Sequence, residues 1–184
     1  MLTVKVNEQI SSFVKFQAPR FDIGGMSNLG QNDLNKASRL DFQYTGLYGE
    51  SAWYQQRYGS LTKLSSLLDY KYETFTNTGK GDEGEDDSLI INGEARKVDI
   101  KTSHVIDPDR IRSLNLIVPM RELHKDMIYI SAFTVGPERT NVEKVLFAGW
   151  VFNEDIKDRF HYDESKFAVK VKDLRPISTL LKVL

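Results

Sequence analysis

The sequence contains no cysteine, which excludes disulfides, cysteine nucleophiles, thiolate zinc sites and iron–sulfur clusters together. It also lacks an excess of charge of either sign. The 25 Lys and Arg residues stand against 26 Asp and Glu, a formal net charge of −1. No global field draws such a chain onto a polyanion or a membrane, so any nucleic-acid site must be a local concentration of positive charge. Long hydrophobic runs are missing as well. The longest, over 145–152, has eight residues, far short of the roughly 18 that mark a membrane-spanning helix. Lys5 and Glu8 interrupt the beginning of the chain too early for the apolar region of a signal peptide. The three histidines, His104, His124 and His161, show no metal-ligand spacing. There are no internal repeats and no low-complexity tract. The expectation is therefore a cytoplasmic protein with no membrane partner, and 184 residues suit one domain with a core of its own.

The pattern along the chain is uneven. Val4 and Val6 alternate like a short strand, but 1–43 otherwise resists reading and is taken as an N-terminal extension to a domain over 44–184. Leu47, Trp53, Tyr54 and Tyr58 recur at helical spacing, with Gly59 as the stop, so 44–58 is expected to be a helix and 61–69 a second short one. Residues 70–75 alternate and are rich in Tyr, Thr and Phe, which predicts a strand. Asn92-Gly93 lies between two alternating segments, 88–91 and 95–103, and is the strongest short signal for a hairpin turn. Strands are also expected over 114–118, 127–135, 142–152 and 167–171, and short helices over 153–159 and 176–184. A polar link over 121–126 reads as a short helix. Helix, hairpin, further strands and small helices make an α+β, or mixed α/β, domain with a central mixed sheet.

Chemistry concentrates around the hairpin. An acidic run, Asp82-Glu83-Gly84-Glu85-Asp86-Asp87, precedes it. A calcium loop of EF-hand type started at Asp82 would need Gly at Asp87 and Glu at Gly93, so that reading fails. On the second strand, Asp99 and Lys101 leave one face while Val98 and Ile100 leave the other, toward a core. A two-residue turn at Asn92-Gly93 sets Ile91 against Glu94 and, continued, Asp86 against Asp99. Opposed β-carbons lie about 4.5–5.5 Å apart, and two carboxylates at that separation are costly unless a cation joins them. Oxygen-only ligands suit Mg²⁺ or Mn²⁺. In this register Asp87 shares a face with Leu89, Ile91 and Val98, near the open end of the strand where it is expected to reach water. A three-residue turn would exchange the roles of Asp86 and Asp87.

Asp86, followed after thirteen positions by Asp99-Ile100-Lys101, resembles the PD-(D/E)XK signature of restriction-endonuclease-like nucleases, in particular the small, often phage-encoded members. The resemblance covers about 44–152 and includes Glu50, in Tyr48-Gly49-Glu50-Ser51-Ala52-Trp53, as the acidic residue of the first helix. It departs from the signature in having no proline before the first carboxylate. It implies a restriction-endonuclease-like core whose hairpin carries the active site, and a metal-dependent deoxyribonuclease. Asp86, Asp99 and the Ile100 carbonyl would be ligands for Mg²⁺ or Mn²⁺. Glu50 would hold a second metal or a metal-bound water, Lys101 would orient the water and stabilise transition-state charge, and Asp82 would be an outer partner or merely solvated. Lys97, Arg110 and Arg112, in the densest basic stretch, would grip DNA phosphates. Two-strand cutting by a chain with one site would call for a homodimer, and the compartment would be the cytoplasm of a bacterium or a phage-infected host. The alternative is a catalytically inactive nuclease fold that serves as a nucleic-acid-binding or assembly subunit.

Overall fold

The computed structural model describes residues 1–21, 36–78, 85–157, 161–163 and 165–182. Asp82, the loop expected around 23–26 and the end of the helix expected over 153–159 lie outside them. The described chain is α+β. A five-stranded mixed sheet has helices on one face and a three-stranded sheet on the other.

The large sheet has the order β1-β6-β5-β3-β2. Here β1 is Leu2–Lys5, β2 is Asp87–Ile91, β3 is Glu94–Val105, β5 is Met127–Val135 and β6 is Lys144–Phe152. The smaller sheet is β4 (Asn115–Pro119), β8 (Lys166–Lys170) and β7 (His161–Asp163), in that order. β3 runs parallel to β5, and the other neighbours in both sheets are antiparallel. β5 lies in the middle of the large sheet and is buried at every residue, and its alternation shows how the layers are divided. Ile128, Ile130 and Ala132 enter the core on the helix side, while Met127 and Tyr129 pack with Leu116, Val118 and Phe167 of the smaller sheet. A period of two across a sheet covered on both faces requires this division.

The helices α1 (Glu8–Gln17), α2 (Lys36–Tyr58) and α3 (Thr62–Thr78) cover one face. β1 is the short strand that Val4 and Val6 announced, and α1 comes from the stretch the pattern left unread. β1 is an edge strand of the large sheet, and Ile10 and Val14 of α1 are fully buried in the same core as Val98 and Ile100. The strand expected over 70–75 is instead the second half of α3. Leu64, Leu67, Leu68, Tyr72 and Phe75 keep a helical period through it, and the buried Leu64 and Leu68 fix that period to the core. The alternation of β-forming residues was a local coincidence that tertiary packing overrode. Short helices α4 (Asn153–Lys157) and α5 (Ile177–Leu181) complete the chain. The link after β4 forms a 3₁₀ turn over Met120–Glu122.

The hairpin follows from its turn. Asn92 and Gly93 have φ of 54° and 83°, the left-handed pair that a two-residue turn of matching twist demands. Ile91 pairs with Glu94 and Asp87 with Val98, the register that Asn-Gly predicts. The ladder then departs from it, because Asp86 N also donates to Val98 O, at 2.8 Å. Asp86 thus stands just past the end of β2 and not squarely opposite Asp99.

Candidate active site

α2 positions the hairpin. Gly49 meets β3 at Thr102, where a β-carbon on residue 49 would lie 2.0 Å from Thr102 Oγ1, so only glycine allows this approach. One and two turns later α2 presents Trp53, Tyr54, Arg57 and Tyr58 to the start of β2. Three of these residues converge on Asp87. Trp53 Nε1 donates to Asp87 Oδ2 at 2.7 Å, Tyr58 OH donates to Oδ1 at 3.1 Å, and Arg57 donates to Oδ2 and pairs with it. The amide of Ser88 adds a bond of 2.9 Å to Oδ1. Asp87 therefore does not reach water as expected. It is buried, and α2 covers the strand end and consumes its carboxylate. Burial, followed by the charge of Asp87, pushes Tyr58 up to about 12, so its hydroxyl remains a donor.

Asp86 turns to the other flank. Its Oδ2 accepts from the amide of Ile100 at 2.8 Å, its Oδ1 pairs with Lys71 Nζ of α3 at 3.2 Å, and Tyr54 OH donates to its main-chain oxygen at 2.7 Å. The N–H and C=O of one strand residue leave on the same side. The Ile100 carbonyl thus faces the same flank as Asp86.

Asp99 is 3% exposed, opposite Tyr129 in the β3–β5 ladder. The Lys101 ammonium lies 2.7 Å from its Oδ2, an ion-pair contact without hydrogen-bond geometry. Lys101 Nζ donates to Glu122 Oε2 at 2.5 Å. Burial raises Asp99 to about 7, with the charges of Asp86 and Glu122 adding to it and Lys101 opposing. Burial disfavours the Lys101 ammonium, but Asp99 and Glu122 outweigh it and hold its pKa above the ordinary lysine value. Lys101 is thus a fixed cation and a donor, not a base. Beside it opens a pocket of about 140 Å³ lined by Ser103, Asn115, Ile117, Ser131 and Phe133.

No family model, curated protein or solved structure matches this chain. The geometry alone therefore carries the reading of these residues.

Asp86, Asp99, Ile100 and Lys101 come together at the base of the hairpin. Glu50 lies one turn before Tyr54 on α2, near enough that its charge raises the Tyr54 pKa, after burial and Asp87. Among the described residues no three His, Asp or Glu side chains form a group that could hold a metal ion, and Glu50, Asp86 and Asp99 fall within that search. The donor chemistry does fit a hard cation: every candidate is an oxygen, and Asp99 Oδ2 is buried without a hydrogen bond. Lys97 shares the strand and face of Asp99, and its ammonium meets Glu85 at 3.1 Å. Arg110 and Arg112 do not join the site. They belong to the 3₁₀ helix Pro108–Ser113, whose Ile111 packs on Phe133 and Val135. Phe133 and Val135 pair with Ser103 and Val105, so this turn packs against the far half of β3, past Lys101. Arg96 is engaged on the surface by Glu94 and Glu154 at 2.9 and 2.7 Å.

Two members of the site were missed by sequence reasoning. Lys71 had a signal, since it lies on the helical face of Leu64, Leu67 and Leu68, but the strand reading hid it. Glu122 had none, because a single acid in a polar link has no spacing to announce it. Among the described residues no helix is long and apolar enough to cross a membrane.

Proposed function

We propose that this protein hydrolyses phosphodiester bonds of DNA with the help of Mg²⁺ or Mn²⁺, at a PD-(D/E)XK-like site on a restriction-endonuclease-like core. One observation carries the reading. Asp86 and Asp99, from the two sides of one hairpin, meet at one end of it, where Asp86 accepts from the amide of Ile100, between Asp99 and Lys101, and Lys101 is held against Asp99. Asp86, Asp99 and the Ile100 carbonyl would hold the metal, with Glu50 approaching from α2. When bound, such a cation lowers the pKa of water and polarises a phosphoryl oxygen. Lys101, permanently charged, donates to the oxygen on which negative charge grows, a preorganised stabilisation in a site largely closed to water. Asp86 is released for this role when Lys71, on α3, gives up its contact. Lys97, two residues before Asp99, supplies a phosphate contact on the same face.

A second reading, a nuclease fold without catalysis that binds nucleic acid or serves in an assembly, is favoured by the same lysines. Lys71 with Asp86 and Lys101 with Asp99 give each carboxylate a cation of the chain itself as its partner. Calorimetric titration with Mn²⁺ distinguishes the two. The nuclease reading expects binding that Asp99→Ala abolishes and cleavage of DNA that follows it, whereas the second expects neither.

A further inference from the structure

We infer that Glu122 is the residue that aims Lys101, a positioning group for the reaction proposed above and not itself a metal ligand. The inference rests on the nuclease reading for its purpose, but its geometry stands apart from that reading. Lysine is a flexible chain ending in a compact charge, and one ion pair with Asp99 restrains the ammonium in only one direction. Glu122 supplies the second restraint. Its Oε2 accepts from Lys101 Nζ at 2.5 Å, beside the contact with Asp99 Oδ2 at 2.7 Å, so the ammonium is tied to two carboxylates from different elements.

The carboxylate is itself held. Glu122 is 8% exposed, and Arg121 Nε approaches its other oxygen, Oε1, at 3.5 Å. The turn that carries it is pinned to the central strand, because Tyr129 OH donates to the Glu122 main-chain oxygen at 2.5 Å and accepts from the amide of His124 at 3.1 Å. Tyr129 is the β5 partner of Asp99. One residue of β5 thus sets both the strand level of Asp99 and the turn that carries Glu122. Lys101 so held lines a pocket together with Ser103, Asn115 and Ser131. Partners of this kind, one shell out from the reacting groups, are worth roughly 10- to 100-fold in activity.

The test compares wild type with Glu122→Gln, which preserves shape, and with Glu122→Asp, which preserves charge. NMR of the Lys101 ammonium in ¹⁵N-lysine-labelled protein, assigned with Lys101→Arg, reads the restraint without any activity. A protected ammonium in wild type that becomes freely exchanging in Glu122→Gln is expected. So are a kcat lowered roughly 10- to 100-fold with KM little changed, unaltered Mn²⁺ affinity, and partial recovery in Glu122→Asp. Loss of Mn²⁺ affinity in Glu122→Gln, comparable to that in Asp99→Ala, would overturn the assignment by making Glu122 a ligand. An ammonium equally protected in both proteins would overturn it as well. A wild-type protein that cleaves no DNA refutes the nuclease reading and leaves the NMR result to judge the restraint.

Discussion

Asp86 and Asp87 are adjacent acids with opposite tasks, and exchanging each for alanine separates them. Asp87 receives Trp53, Arg57, Tyr58 and the Ser88 amide. Both members of the Arg57–Asp87 pair are largely buried, with side chains 16% and 7% exposed. Removing one partner of a buried pair costs about 3–5 kcal/mol, because the other charge stays behind. Arg57 would keep its bond to Ser88 O at 2.9 Å and its stacking on the Tyr58 ring, so the lower figure, about 3 kcal/mol, applies to Asp87→Ala. For a chain of this size each kcal/mol moves the melting temperature by about 2–4 °C, which makes the expected fall about 6–12 °C. Circular dichroism melts read the loss, and Mn²⁺ titration well below the melting transition reads the site. Asp87→Ala should melt early yet bind metal, whereas Asp86→Ala, whose pair with Lys71 is buried to a similar degree with side chains 12% and 11% exposed, should also melt early but bind none. An Asp87→Ala protein of wild-type stability that has lost metal binding would refute the assignment.

Three further outcomes follow from the same contacts. Lys101→Met should lower cleavage by about 100- to 1000-fold, the usual worth of one preorganised donor, while Mn²⁺ binding stays measurable by calorimetry; near-normal turnover would remove Lys101 from the mechanism. The raised pKa of Asp99 means the folded state holds that proton more tightly than the unfolded chain does. Its stabilising contribution is therefore complete below about pH 4 and lost as pH rises toward about 7. Asp99→Asn should accordingly gain stability relative to wild type between pH 4 and 7, by an amount on the order of a few kcal/mol, and a difference that is flat in melts across that range would contradict it. Gly49→Ala should destabilise the protein by about 1–3 kcal/mol through overpacking against the stiff Thr102, with Thr102→Ala in the same chain recovering part of the loss in denaturant unfolding.

The parts of the fold that were legible in the sequence are those decided by neighbours in the chain. Asn92-Gly93 dictated both a turn and its register, and the apolar stretch over 127–135 was legible as a strand. Tyr70 to Phe75 failed because period-two spacing and β-forming residues coincided inside a helix whose true period was anchored upstream at Leu64 and Leu68. β1 was visible as Val4 alternating with Val6, but nothing local says that such a short strand pairs with β6, well over a hundred residues away. The site divides in the same way. Asp99 and Lys101 share a face by strand geometry, so their proximity could be read directly. The fate of Asp87 depends on Trp53 and Arg57, 34 and 30 residues away, and that of Lys101 on Glu122, 21 residues on. Such contacts are made by packing helices and turns onto the sheet, and no spacing rule anticipates them.

The most direct test is cleavage itself. Purified wild type and Asp99→Ala, incubated with linear, circular and single-stranded DNA in Mg²⁺ or Mn²⁺ and again with EDTA, give the answer on a gel. The account predicts that wild type degrades at least one of these substrates, that EDTA stops it, and that Asp99→Ala is inactive. Degradation that persists in EDTA, or in Asp99→Ala at the wild-type rate, would contradict it, as would intact DNA in every lane.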